Sequence, residues 1–196
     1  MSSTDKKDLL VPCLYFKKTG RENAQRTLEM AAKRADELGI KNIVVATTSG
    51  ETGLLATKLF SGKNLVIVTH STGFVKPDYQ ELLDESRKKI EEAGAKILTC
   101  QHGFGGVGRA VRKKLGTYEL EEIVAYTLRI FGEGTKVAME IAIMAADAGL
   151  IPTSKPCICV GGTSRGADTA VVLRPSNAQT FFDLRVMEIL AKPHFD

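Results

Sequence analysis

An α/β domain built on a mixed, largely parallel sheet is predicted by three observations on this 196-residue chain. Short continuous apolar runs recur, above all Ile43-Val44-Val45-Ala46 and Leu65-Val66-Ile67-Val68. Such runs suit strands buried on both faces. Segments of helical period lie between them and end at glycine. The last two apolar runs are joined through the loop Gly161 to Gly166, which is too short for a helical crossover, so the final strand should run antiparallel.

In chain order, Thr19-Gly20-Arg21-Glu22 has the form of a capping box. Ala24, Leu28, Ala31, Ala32, Ala35 and Leu38 follow at helical spacing, and Gly39 stops the helix. A strand over 43–47, a helix over 51–60 and a strand over 65–69 come next. Asp78 and Glu81 form a second capping pattern, opening a helix that carries Leu82, Leu83, Ile90 and Ala93 and ends at Gly94. Residues 95–99 read as the third strand, and the glycine loop 103–108 leads into the basic stretch Arg109 to Lys114. Leu120, Ile123, Val124, Thr127, Leu128 and Phe131 mark one helix. Residues 135–148 are apolar almost all round, as in a helix buried against a sheet. Residues 156–160 and 170–174 are the fourth and fifth strands. No linker, low-complexity tract or repeat breaks the chain, so residues 1–196 are expected to form a single domain.

Composition narrows the function classes. With 43% hydrophobic residues the chain can bury an ordinary core, and a net charge of +4 spread along the sequence demands no acidic partner. The polar start Met1 to Asp8 has no apolar segment behind it, and no apolar stretch reaches membrane-spanning length. A soluble, cytoplasmic protein is expected, without a membrane partner. Cys13, Cys100, Cys157 and Cys159 suit that compartment as free thiols; Cys157-Ile158-Cys159 lacks the Cys-x-x-Cys spacing of a redox or zinc pair. Arg87, Lys88 and Lys89, like Arg109, Arg112, Lys113 and Lys114, are not interleaved with aromatics. They read as solvated helix faces, and no nucleic-acid partner is expected.

The chemistry concentrates in Thr47-Thr48-Ser49-Gly50-Glu51-Thr52-Gly53, between a buried strand and a helix. Such a turn aims free N–H groups and the positive end of the helix dipole at one point, and hydroxyls add donors without bulk. Gly50 and Gly53 would let a ligand come close to the backbone. The turn therefore reads as a phosphate cradle, against the alternative that its hydroxyls only cap the helix.

Further groups fall at the same sheet edge, beyond the carboxyl ends of parallel strands, where ligands of open α/β sheets bind. They are His70-Ser71-Thr72, Gln101-His102-Gly103 and the loop 161–166. His70 or His102 could contact a ring or exchange a proton, or simply bond to backbone. A metal site from His70, Cys100 and His102 lacks nearby carboxylates, and no metal is expected. Gly103-x-Gly105-x-x-Gly108 matches a dinucleotide fingerprint formally, but follows the third strand and lacks the later acidic residue. No Gly-x-Ser-x-Gly nucleophile elbow occurs.

The run Val44 to Thr69, "VVATTSGETGLLATKLFSGKNLVIVT", resembles the C-terminal domain of pyruvate kinases, and "CICVGGTSRGADTAVVLR" at 157–174 resembles that domain's closing loop and reversed last strand. With Tyr15-Phe16, Gly20-x-Glu22-Asn23, the 101–108 loop and "EILAKP", the whole length is similar to pyruvate-kinase α/β-domain-like proteins that stand alone, a prokaryotic family found largely in archaea. The resemblance implies a three-layer αβα sandwich with a mixed five-stranded sheet in order 3-2-1-4-5, strand five antiparallel. It also implies flavin mononucleotide (FMN) as an occupant of the site.

Pyruvate kinase activity itself is not expected, because its catalytic barrel has no room in 196 residues. Glu51 inside the turn disfavours a bisphosphate and leaves a monophosphate more comfortable. On this reading Thr47, Thr48, Ser49, Gly50, Thr52 and Gly53 hold the phosphate. Thr69, His70, Thr72, Gly103, Gly105 and Gly106 line the rest of the ligand, and Gly162, Thr163, Ser164 and Arg165 close the far side. The partner is a small phosphorylated molecule, with a homo-oligomer left open. A flavin enzyme and a non-catalytic sensor remain the two functional alternatives.

Overall fold

The strand pattern places seven strands in one sheet. In the computed structural model, which describes residues 8–195, they are β1 (Leu14–Phe16), β2 (Asn42–Ala46), β3 (Asn64–Val68), β4 (Lys96–Leu98), β5 (Cys157–Gly161), β6 (Thr169–Arg174) and β7 (Arg185–Pro193). The polar segment Met1 to Lys7 lies outside the described residues. The spatial order is β1-β7-β6-β5-β2-β3-β4. Its inner part, β4-β3-β2-β5-β6, is the expected order 3-2-1-4-5. β5 and β6 pair antiparallel, Cys159 opposite Val171, while β2 pairs parallel with both β3 and β5.

The expected count of five strands was short by two. β7 runs antiparallel to β6, and β1 adds parallel to β7 at the edge. Neither shows the apolar run that marks a central strand. β1 has three residues, and the first half of β7 is exposed while charged Glu188 and Lys192 interrupt its buried half. Register shifts between β6 and β7 further blur the two-residue alternation.

Side-chain alternation on the central strands splits the core into two layers. Ile43, Val45, Ile67, Ile158, Val160 and Val172 join Leu28, Ala31 and Ala35 of α1 (Ala24–Glu37), Ala56 of α2 (Glu51–Leu59) and Ile90 of α3 (Asp84–Glu92). Val44, Val66, Val68, Cys157, Cys159, Val171 and Leu173 meet Ala138, Ile141, Ala142 and Ala145 of α6 (Glu133–Asp147) on the other face. α4 (Val107–Leu115) and α5 (Leu120–Arg129) complete that layer, with Ala125 and Phe104 packed on Met139 and Ile143. All four cysteines are free, and burial pushes the Cys159 thiol well up from its ordinary value. A paired contact from Arg34 to Glu188, 2.8 Å at both Nε and Nη2, fastens α1 to β7.

Two helix starts differ from the sequence expectation. No side chain caps α1; a 3-10 turn, Arg21–Asn23, precedes it, and Gly20 N–H donates to Asp168 Oδ2 at 3.4 Å. α3 begins at Asp84 rather than near Asp78. Asp78 adopts a positive φ of 59° within the loop, and Glu81 contacts His70 instead of a helix N–H. Long-range bonding within the 69–83 loop overrides the local capping pattern.

Candidate functional site

The β2–α2 turn is the base of the site. Gly50 is the residue before α2 and has φ 107°; a Cβ there would lie 2.3 Å from Ser86 Cβ on α3. Gly53 faces Ile90 Cδ1, which a Cβ would approach to 2.8 Å. Close packing of α2 on α3 and the core therefore requires glycine at both positions whether or not a ligand approaches the turn. Thr47 Oγ1 accepts the Gly53 N–H at 3.4 Å, which leaves the N–H groups of Thr48, Ser49, Gly50, Glu51 and Thr52 without an acceptor among the described residues. The hydroxyls of Thr48, Ser49 and Thr52 likewise make no hydrogen bond there. Five successive free N–H groups and three free hydroxyls thus converge at one helix start.

A cavity of about 100 Å³ opens over this turn. The structure brings Thr47, Thr48, Ser49, Thr52, Thr69, His70, Gly162, Ser164 and Arg165 together in its lining. Val137, Ile141 and Met144 of α6 form the apolar side, which sequence reading assigned only to the core. Gly50 and Gly53 contribute backbone to the turn beneath. Thr72, Gly105 and Gly106 line a second cavity of about 510 Å³ alongside, and His102 borders both. Gly103 and Thr163 line neither. Gly103 packs near Glu140 and Met144, while Thr163 N–H donates to buried Asp168 at 3.2 Å and its hydroxyl is buried without a partner among the described residues.

Glu51 also borders the first cavity, but its carboxylate lies 2.7 Å from the Arg21 guanidinium. Both side chains are exposed, so solvent screens the pair and its stabilising value is small. The pair still offsets negative charge near the turn.

Aromatic groups separate the two cavities. Phe74 stacks on His70 at 4.2 Å and near-parallel to His102 at 5.0 Å, and Arg109 lies 4.6 Å from the Phe74 ring centre. Phe74 and Arg109 were not read as site residues, since a phenylalanine in an irregular loop carries no periodic signal. His70 Nδ1 lies 2.6 Å from Glu81 Oε2. That contact fixes the orientation of the imidazole. Among the described residues no group of three or more His, Cys, Asp or Glu side chains is placed to hold a metal ion.

His102 is held differently. Its Nε2 accepts the Ser71 N–H at 3.5 Å, and Nδ1 lies 3.9 Å from Glu140. Burial pulls its pKa from 6.5 down to about 4; Glu140 opposes this, while His70, Lys136 and Arg109 reinforce it. Above pH 6.5 the ring is neutral in both folded and unfolded chains, and this contribution to stability is fully present. As pH falls from about 6.5 to 4 the unfolded chain gains the proton first, so stability should drop by up to about 3 kcal/mol. Urea unfolding of wild type and His102→Gln across that window checks this, because the variant should lose the difference while other titrating groups are shared.

The sequence over residues 25–173 matches the family model described as pyruvate kinase, alpha/beta domain. Among solved structures the chain is similar to a pyruvate kinase from Cryptosporidium parvum, at 16% identity and TM-score 0.41, covering 78% of this chain and 22% of that one. It is also similar to an O-ureido-L-serine synthase, at 17% identity and TM-score 0.30, covering 63% of this chain and 47% of that one. The chain thus spans less than half the length of either protein. The family match runs from α1 to the end of β6 and includes the hydroxyl turn and the closing loop, so the chain belongs to the pyruvate kinase α/β-domain family.

Proposed function

We propose that this protein binds a phosphomonoester, with the phosphate on the 47–53 turn and the remainder of the molecule directed toward the neighbouring cavity. The observation that carries the reading is the run of five unpaired N–H groups, Thr48 to Thr52, reinforced by the free hydroxyls of Thr48, Ser49 and Thr52. A phosphate satisfies several such donors at once, and helix starts favour negative charge. Arg165 beside the cavity adds a cation, and Arg21 offsets Glu51. The first cavity, about 100 Å³, suits the phosphate and little more. A larger organic group needs the second, about 510 Å³, past His102.

FMN is the ligand we put forward, in keeping with the stand-alone family the sequence resembles. FMN should bind much more tightly than riboflavin, since charge-assisted bonds to phosphate contribute about 1.5–3 kcal/mol each. A fluorescence-quenching titration with both compounds checks this, and equal affinities would remove phosphate from the turn.

A second reading, a redox flavin enzyme rather than a ligand sensor, is favoured by the His70–Glu81 contact, which orients an imidazole at the cavity edge. Under anaerobic conditions a reduced nicotinamide should then bleach bound FMN and an acceptor restore it. Failure of a broad donor panel, with ligand-dependent stability or assembly, favours the sensor.

A further inference from the structure

The stripe Leu120, Ile123, Val124, Thr127, Leu128 and Phe131 has the spacing of a buried helix face. The structure divides it. Val124 and Leu128, with buried Ala125, turn inward onto Phe104, Met139 and Ile143. Leu120, Ile123, Thr127 and Phe131 stay outside, where Tyr126 and Ile130 join them. At about 3.6 residues per turn these six form one continuous arc along α5 and just past its end, and none is charged. Ile130 is 77% exposed and Leu120 71%.

A helix that is apolar on all sides is ordinarily buried on all sides. Here the inner side has its core, and the outer side has no cover among the described residues. Tyr118 extends the outer face, its ring edge-on to Tyr126 at 5.6 Å. Together these apolar side chains expose on the order of 700 Å², above the roughly 300–600 Å² of the largest patch on a typical monomer. That approaches the roughly 800 Å² that each partner buries in a stable complex. The charges at the border are already matched. Arg112 pairs with Glu122 at 2.8 Å and Arg129 with Glu133 at 2.5 Å, and the two guanidinium groups lie against Tyr118 and Tyr126. The Thr127 hydroxyl donates to the Ile123 carbonyl at 3.0 Å, so it needs no outside partner.

We propose that this outer face of α5 is a dimer interface, and that its occupant is the same face of a second copy of the chain. In a two-fold interface a patch meets itself, so any net charge on it would oppose its own kind. An uncharged arc bordered by matched ion pairs meets that condition, and nothing on the arc selects a charged partner. Thr127, the shortest side chain of the arc and central in it, lets the two helices approach closely about the axis. Ile123 and Ile130 flank it and pack into the opposing face. None of the residues of this face lines either cavity, so the pairing leaves both open and does not rest on the ligand reading.

Sedimentation equilibrium of the full chain tests this. The wild type should sediment at twice the protomer mass at micromolar concentration. Ile123→Glu with Ile130→Glu should weaken association by at least about a hundredfold, because each carboxylate would be buried unpaired in the interface. Thr127→Arg alone should have a similar effect by setting like charges across the axis. All three positions are exposed in the protomer, so urea unfolding of the monomeric variants should show the fold kept. Thr127→Arg carries the test if the two carboxylates impair folding. Amide hydrogen exchange over 118–131 should slow as the wild-type concentration rises. A wild type that stays monomeric up to millimolar concentration overturns the proposal, whatever else covers the face. So does a dimer that survives both sets of changes, or one that Leu83→Glu, at an exposed position beside α3 in the opposite layer, also abolishes.

Discussion

Glu140→Gln should destabilise the protein by about 3–5 kcal/mol, more than any change at the cavity surface. Glu140 and Lys136 sit one turn apart on α6, with side chains only 4% and 5% exposed, and the Lys136 ammonium donates directly to Glu140 Oε2. Glu140 Oε1 also accepts the Phe104 N–H at 2.9 Å. Glutamine can keep the bond to Phe104 but leaves a buried ammonium without its counter-charge. Adding Lys136→Met removes the orphaned charge as well, so the double variant should recover most of the loss. A urea-unfolding cycle over the two single variants and the double checks this. A Glu140→Gln cost below about 1 kcal/mol would mean that water reaches the pair and that the charge is not truly buried.

The Lys136–Glu140 pair also shows where sequence reading stopped. Residues 135–148 read as an apolar helix, and the two charges inside it were not singled out because the surrounding Val137, Met139, Ile141 and Ile143 dominate the period. Only the fold reveals that Glu140 ties the glycine loop to α6 through Phe104. The central strands were legible for the opposite reason. Ile43 to Val45 and Leu65 to Val68 are buried on both faces, so their composition alone marks them. β7 was not, since its exposed Arg185, Val186 and Met187 carry no such mark. At the site, the hydroxyl turn, His70 and the closing loop lie close in the sequence to strand ends and were placed by topology. Phe74 and Arg109 depend on how the 69–83 loop folds back, with Gly73 N–H on Tyr79 at 2.9 Å and Gln80 on the His70 carbonyl at 3.0 Å. No local pattern encodes those pairings.

Ser49→Ala combined with Thr52→Val should weaken FMN binding by about 3 kcal/mol, roughly a hundredfold, through loss of two charge-assisted bonds to phosphate. The competing account, in which the hydroxyls cap α2, makes the opposite pair of predictions. The structure already separates the roles within the turn. Gly50 is the cap residue and offers no side chain, and among the described residues the only hydroxyl bonded to an α2 N–H is that of Thr47, to Gly53. The hydroxyls of Ser49 and Thr52 bond to nothing in the described protein, so the double variant should lose little stability. Valine at 52 has nearly the shape of threonine, and this position is only 6% exposed, so packing there should be kept. Thr47→Val, in contrast, should cost about 1 kcal/mol of stability by removing the one capping bond. Its effect on affinity should be smaller than that of the Ser49 and Thr52 pair. Urea unfolding of the apo protein beside FMN titration of the same samples measures both quantities. A destabilised Ser49→Ala/Thr52→Val variant that still binds FMN at wild-type strength would return both hydroxyls to a capping role and move the phosphate off the turn.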